Sequence, residues 1–463
     1  VDGKKLQFIA TVLFVMCSLI IWIAPSAGAQ KPAVETTISQ TAPDESSAGK
    51  PPLPRQEYPD MRFSGRFKTA GSVSWPDADS IFEPVGTGVF YDGSADLRLI
   101  NETFFSDRLF FEAHYEAILA GGDTRRKSIE LETVFPGFPE NLFGTRLNDD
   151  RRLMDLTDTL RDKDSYRVVQ RLDRLDLGMI ASWGSLRLGR QAVTWGNGLI
   201  FNPMDLFNPF APTEVDRDYK PGDDLVAAQI NLPRSTDLQL LCVAHRNPET
   251  HDAGFNESSL GGKAHFSRGT TELDIMAARH YEDYVLGFGS RGYLADAAWR
   301  LDATWTALSD PAQESPDGYL SLVANMDYSW VLWDKNFYGL VEFYFNGLGD
   351  NDYEDAIANP DIVERLARGE LFVLGRSYLS ASVQIELHPL LQFYLTAINN
   401  INDPSGILQP RLQWDLSQDL QMTLGANLYY GAPDTEYGGF KLPGTSIRTR
   451  PADGVYLWFT YYF

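Results

Sequence analysis

From Met61 to the last residue, apolar and polar side chains alternate with a period of two in segments of about ten to fourteen residues. Such a period sends successive side chains to opposite faces of an extended strand. In 320–330 the residues Leu320, Leu322, Ala324, Met326, Tyr328 and Trp330 share one face, and Ser321, Asn325, Asp327 and Ser329 the other. Leu379, Ala381, Val383, Ile385 and Leu387 repeat the pattern against Ser380, Ser382, Gln384 and Glu386. Leu420, Met422, Leu424, Ala426 and Leu428 do so again, against Gln421, Thr423 and Asn427. The pattern predicts eighteen strands: 61–73, 91–103, 107–120, 168–182, 185–195, 223–232, 236–246, 258–268, 270–281, 284–296, 298–308, 317–331, 336–347, 376–388, 390–401, 406–416, 419–430 and 453–463. Sixteen stays open, because 284–308 can be divided differently.

Alternation alone also fits a soluble sandwich. Length favours a membrane barrel, since a tilted spanning strand needs about nine to eleven residues and globular strands average about five or six. Aromatics gather at strand ends, as at Trp330 and Trp333 or Tyr429 and Tyr430, where a membrane interface would sit. Tight turns near Trp183, Pro233, Gly269, Asp334, Pro389 and Gln418 all fall on one side, and long polar connections on the other. The expected fold class is therefore all-β: a transmembrane antiparallel up-and-down β-barrel of about 18 strands, with long extracellular loops carrying short helices and both termini periplasmic.

The last segment sharpens this picture. Val455, Leu457, Phe459, Tyr461 and Phe463 lie on one face, with Tyr456, Trp458, Thr460 and Tyr462 on the other. This resembles the final strand of outer-membrane barrels in general, and the resemblance implies that Phe459, Tyr461 and Phe463 form a signal read by the barrel-assembly machinery. At the other end, Lys4 and Lys5 precede an apolar run from Phe8 to Ala24, followed by Ser26-Ala27-Gly28-Ala29. That reads as a secretory signal peptide over 1–29. Residues 30–60, with Pro51-Pro52-Leu53-Pro54, read as a disordered periplasmic extension, a tether to a periplasmic partner or a plain spacer. The barrel is expected over 61–463, in the cell outer membrane, with its lipids as neighbours.

Charge and cysteine content exclude several classes. The formal charge is −23, and losing Lys4, Lys5 and Asp2 with the signal takes it to −24, so no nucleic-acid partner is expected. Of the two cysteines, Cys17 lies in the signal and Cys242 is left alone. Neither an internal disulfide nor a cysteine-pair metal site can form. No cofactor, metal or catalytic residue is expected, and the oligomeric state is not legible.

The most distinctive stretch is Arg190-Gln191-Ala192-Val193-Thr194-Trp195-Gly196-Asn197-Gly198, then Asn202-Pro203-Met204-Asp205-Leu206-Phe207-Asn208-Pro209. It resembles the R-Q-x-x-x-W-G … N-P-x-D-x-x-N-P pattern of a poorly characterised group of porin-like outer-membrane proteins, a resemblance that implies no substrate. Gly196 and Gly198 allow a sharp exit from the strand, and each Asn-Pro pair starts a turn. Connection 196–222 should therefore be ordered. In general porins such a loop folds inward and narrows the pore; the alternative is a cap on the outer rim. Its charges include Asp205, Glu214, Asp216 and Asp218. Basic residues facing it would complete a transverse field, for which Arg174, Arg187 and Arg411 are candidates. The plainer reading pairs these arginines with lumen acids such as Asp176 and Asp415.

Other motifs carry less. Gly287-Phe288-Gly289-Ser290-Arg291-Gly292 fits a dinucleotide glycine pattern but lacks a βαβ frame. His265 and Ser267 face the same way on a strand and are similar to the His-x-Ser pair of outer-membrane phospholipase, but Arg268 follows where that pattern continues with Asn. Asp350, Asp352, Glu354 and Asp355 read as a solvated loop before a short helix capped by Asn359 with Pro360 in its first turn. Leu153, Leu156 and Leu160 have helical spacing within an expected external lid over 121–166. The expected function is a porin-like channel for passive diffusion of small solutes. The alternatives are a structural sleeve for a partner, such as an electron conduit or lipid-transfer system, and an outer-membrane hydrolase resting on His265 and Ser267.

Overall fold

The computed structural model describes residues 58–134, 148–207, 209, 211–212, 219–313, 315–442, 445 and 447–463. The expected signal peptide, and the expected extension up to residue 57, lie outside the described residues. The strands are β1 (Asp60–Trp75), β2 (Phe90–Ser106), β3 (Leu109–Gly122), β4 (Thr157–Asp162), β5 (Tyr166–Ala181), β6 (Gly184–Gln191), β7 (Asp223–Leu232), β8 (Thr236–Val243), β9 (Ser259–Arg268) and β10 (Thr271–His280). They continue as β11 (Asp283–Leu294), β12 (Ala297–Ala307), β13 (Gly318–Leu332), β14 (Lys335–Asn346), β15 (Ser377–His388), β16 (Leu391–Asn400), β17 (Ser405–Asp415), β18 (Leu420–Tyr430) and β19 (Asp453–Tyr462). All but β4 join a ring of antiparallel neighbours that closes where β19 pairs with β1, from Arg66 opposite Tyr462 to Trp75 opposite Asp453. The result is a closed 18-strand antiparallel barrel. The stretch 284–308 divides into two strands, β11 and β12, which removes the sixteen-strand count.

The strand β4 is an addition on the long-loop side. It pairs with Arg167 to Arg171 of β5, beyond the point where β6 has left that edge. Here the helical expectation for Leu153, Leu156 and Leu160 fails. The segment is extended, Leu153 and Leu160 are exposed, and the helix of this insertion is α1 (Asp123–Val134) instead. The β-branched Thr157 and Thr159 suit an extended chain, and the unpaired outer edge of β5 supplies hydrogen bonds that a lone helical turn would have to do without.

One rim carries the tight turns. At 333–334 both turn residues, Trp333 and Asp334, have positive φ, the geometry that matches the twist of the flanking strands. The other rim carries the long connections, with two short exceptions at 281–282 and 401–404. The connection between β14 and β15 holds α2 (Tyr353–Ala358) and α3 (Pro360–Arg368). Asp352 caps α2, and Asn359 caps α3 by accepting from the Asp361 N–H, with Pro360 in the first turn. The acidic loop thus works as a cap, and Ile362 turns into a cluster with Tyr353, Leu371 and Phe440.

The two faces of the wall differ as the alternation requires. On β13 the outward Leu320, Met326 and Tyr328 are exposed, while the inward Ser321, Val323 and Asn325 are buried. An apolar exterior over backbone groups that are all paired around a ring is what a bilayer demands of a strand protein. No helix among the described residues is long and apolar enough to cross a membrane.

Placing a charge on the exterior tests this assignment. Phe288 is 43% exposed on the outer face of β11, and Phe288→Arg should destabilise the barrel in lipid vesicles by about 2–4 kcal/mol. Urea titration reads the loss; an unchanged midpoint in lipid would contradict the outward, bilayer-facing placement.

Candidate functional site

The site grows out of connection 192–222, between β6 and β7. The strand β6 ends at Gln191, four residues before the expected end, and the chain then turns into the barrel. Two buried groups hold its root. Arg190 is fully buried and binds Asp224 (Nε to Oδ1, 2.8 Å), Asp149 (Nη1 to Oδ2, 2.9 Å) and the Met154 carbonyl. Lys220 donates to both Asp205 oxygens, at 2.6 and 2.7 Å, closing the connection on itself. Burial pushes Asp205 up to about 6 against the pull of Lys220. Burial likewise lowers Lys220, against the pull of Asp205.

From this root the strap runs inward over the wall. The Trp195 ring is completely buried, its Nε1 donates to Gln239 at 2.8 Å, and it meets Phe207 edge to face. Met204, Leu225, Leu241, Val243, Met276 and Val285 complete a dry cluster between strap and wall. The wall is bare where the strap touches it. A Cβ on Gly261 would lie 3.1 Å from the Trp195 ring, and one on Gly289 would lie 2.8 Å from Asp302 Oδ1 and 2.9 Å from Asn197 Nδ2. The glycine run 287–292 that mimics a nucleotide motif is in part a landing strip for this loop.

Beyond Trp195, Gly196 adopts φ +88°, and Asn202 Nδ2 returns to the Trp195 carbonyl at 2.9 Å. Asn197 binds Asp302 through its backbone N–H and its side chain. The tip then meets Glu342 on β14. This carboxylate accepts the backbone N–H groups of Leu199 (2.8 Å), Ile200 (3.1 Å) and Phe201 (2.6 Å), and Asn325 adds a fourth bond at 3.0 Å. Phe201 stacks on Tyr344 with centroids 4.3 Å apart and planes 7° apart. At the far end Tyr219 lies beneath two guanidinium groups, Arg66 at 4.8 Å and Arg98 at 4.3 Å. The strap therefore reaches β1 and β2 at one end and β14 to β17 at the other, where Phe201 lies against Tyr378 and shares a buried cluster with Ile398 and Ile407.

The sequence-named residues separate on this geometry. Trp195, Gly196, Gly198, Asn202 and Pro203 build the fold of the strap, as does Asp205, which is 4% exposed and tied to Lys220. Pro209 is half-buried, and Asn208, Glu214, Asp216 and Asp218 lie outside the described residues. The arginines do not stand together opposite the strap. Arg174 binds Asp173 and the Lys220 carbonyl at the strap's own root. Arg187 is clasped by Asp176 and Glu112, both at 2.6 Å. They are wall ion pairs: Arg174 meets the residue before it, and Arg187 meets carboxylates on β3 and β5. Arg411 lies over the Tyr394 ring at 4.4 Å. Asp415, expected as its partner, accepts from Gln421 at 2.9 Å.

His265 likewise turns out to be part of a charge network. Its Nδ1 meets Asp274 at 3.0 Å, and Ser267 is exposed with no bond to it among the described residues. Reasoning from sequence missed Glu342, Asp302 and Tyr219. A glutamate centred in the polar face of β14 was the one local sign of the first.

No family model matches this chain, and no curated protein does. Solved structures do match in fold. OccAB2 of Acinetobacter baumannii is 10% identical and aligns over 87% of this chain and 98% of its own, with a TM-score of 0.50. OccAB1 of the same organism is 8% identical over 87% and 96%, also at 0.50. The barrel is of the bacterial outer-membrane type. A BenF-like porin from Pseudomonas fluorescens Pf-5 aligns at a TM-score of 0.47, with 9% identity over 87% of this chain and 98% of that one.

The tip is the most exposed to test. Glu342→Gln keeps the volume and removes the charge, which should cost about 2–3 kcal/mol of local stability. Amide exchange at 199–201 would then quicken by roughly 30- to 150-fold, whereas unchanged exchange would mean the carboxylate does not hold the tip.

The rim above the strap titrates. Burial lowers the His245 imidazole, but Asp223, with its Oδ2 2.9 Å from Nε2, overrides this and raises it. A raised histidine stabilises the fold fully below its ordinary pKa of about 6.5 and loses that contribution as pH climbs through the raised value. Amide protection in 244–258, taken relative to the intrinsic exchange rate at each pH, should fall on the alkaline side of neutrality in the native protein and lose this dependence in His245→Gln; protection that is constant with pH in the native protein would remove the ion pair from the account.

Proposed function

We propose that this protein is an outer-membrane channel for passive diffusion of small solutes, with the 192–222 strap as its constriction. The observation that carries the reading is the reach of the strap from Arg66 and Arg98 to Glu342 and Tyr344, within a barrel of eighteen strands. A ring of sixteen to eighteen strands is too wide for wall side chains to fill. A chord fastened to both sides reduces that width.

The interior suits water-borne solutes. Its polar groups are buried in pairs, as in Arg98 with Asp173 at 2.7 Å and Arg66 with Asp96 at 2.9 Å. These pairs stiffen the wall. Solute chemistry is then left to the groups that the strap does not occupy.

No covalent step belongs to this reading. His265 serves Asp274 and leaves Ser267 unactivated, so the hydrolase alternative has no nucleophile and base in contact. The strap, not a reacting group, sets the rate.

Planar-bilayer recording tests the proposal. The full chain should give discrete conductance steps, and a variant with 197–206 replaced by a short glycine-serine bridge should give steps at least twofold larger. Equal steps would move the constriction elsewhere. Silence from both would overturn the channel and favour a sleeve occupied by a partner.

A further inference from the structure

The lumen wall is chemically divided. The strands β2, β3, β5 and β6 carry Asp96, Arg98, Glu112, Glu116, Asp173 and Arg187, interlocked by ion pairs of 2.6–3.4 Å such as Arg98 with Glu116 and Arg187 with Glu112. Between β15 and β18 the inward positions change character to amides and hydroxyls. Gln392 on β16 stands opposite Gln413 on β17, which stands opposite Thr423 on β18. Gln384 on β15 bonds Gln392 through its amide, and the Tyr394 hydroxyl donates to the same Gln392 oxygen at 2.8 Å. This row lies toward the short-turn rim, away from the cluster in which Phe201 of the strap packs with Ile398 and Ile407, and its three glutamines are half-buried.

We propose that this amide row is the solute-contacting lane of the channel, and that it favours uncharged polyhydroxylated solutes of monosaccharide size over charged solutes of the same size. The inference rests on the channel reading above. An amide offers a donor and an acceptor together, and so does each hydroxyl of a sugar. A solute moving along Gln384, Gln392 and Gln413 can exchange water hydrogen bonds for wall hydrogen bonds of similar strength, one at a time. A carboxylate would face an acceptor for every donor, and so would find half its contacts opposed. An ammonium would meet the converse.

The nearby charges do not reverse this. Arg411 is laid on the Tyr394 ring, Glu386 opposite Gln392 accepts from Asn336 at 2.9 Å, and Asp415 accepts from Gln421 at 2.9 Å, so charges of both signs flank the row and it has no ladder of one sign. The selectivity thus comes from neutral groups of matched donor and acceptor capacity rather than from a field.

Three solutes of nearly equal size and different charge decide the matter: glucose, gluconate and glucosamine. Proteoliposome swelling with the full chain at neutral pH should be at least threefold faster in glucose than in either charged solute. The double variant Gln392→Glu, Gln413→Glu should lose that preference and admit glucosamine faster than glucose. Gluconate entering as fast as glucose would overturn the inference in favour of anion capture at Arg411, and glucosamine as fast would overturn it in favour of the wall carboxylates; in both cases the channel stands. Should the double variant fail to fold, the native order of rates still decides. Swelling in none of the three, beside conductance steps in the bilayer, would restrict the lane to ions and overturn the inference alone, while silence in both measurements would remove the channel as well.

Discussion

Every backbone N–H and C=O within a bilayer must find its partner inside the protein, and for a strand protein that requires a closed ring. The pairing of β19 with β1 over ten residues completes it here. Closure removes the sheet edges that would otherwise invite association. It also fixes the two faces: once the ring is shut, a residue's parity decides whether it meets lipid or lumen. The same constraint creates a second problem, because eighteen strands enclose more space than side chains alone can fill.

The strap answers that problem with the chain's own backbone. A segment folded into a lumen brings unpaired peptide groups, each costly unless satisfied. Glu342 takes three consecutive N–H groups, and Asp302 takes a fourth from Asn197. The carboxylates are in turn made tolerable by those donors. Packing completes the arrangement: Trp195 and Met204 fill the gap against a wall kept bare by Gly261, Gly287 and Gly289. Glycine is otherwise a poor strand residue, and here its cost is offset by the close approach of a second layer.

Charges within the barrel fall into two roles. Most of the arginines, Arg98, Arg174, Arg187 and Arg190 among them, are bound by carboxylates on neighbouring strands or at the strap root. Removing one member of such a buried pair leaves the other uncompensated, at about 3–5 kcal/mol. They belong to stability. Arg411 differs from these, being laid on the Tyr394 ring. The rim above adds a third layer, in which Glu370 is pulled up by burial yet held at about 2 by His280, Arg368 and Arg365, tying the α3 loop to the barrel mouth.

Much of this architecture follows from local chemistry and could be read along the chain. Strand number and most strand positions were legible because period-two alternation is imposed residue by residue by the two solvents, lipid and water, that the wall separates, although β6 stops early where the strap begins. The Asn359 cap and Pro360 start of α3 were legible for the same reason, being contacts within a few residues. The order of the 196–222 connection showed in its glycines and Asn-Pro turns, although neither its inward course nor its partners did. Those partners lie up to 143 residues away, and nothing local to Glu342 says which backbone it will hold. The leucines at 153, 156 and 160 misled because spacing describes a helix only when no open strand edge is near, and the edge of β5 is a tertiary fact. Arg174 and Arg187 were placed on the correct face by parity, but only the folded chain decided that carboxylates would claim them and that Arg411 would lie over the Tyr394 ring.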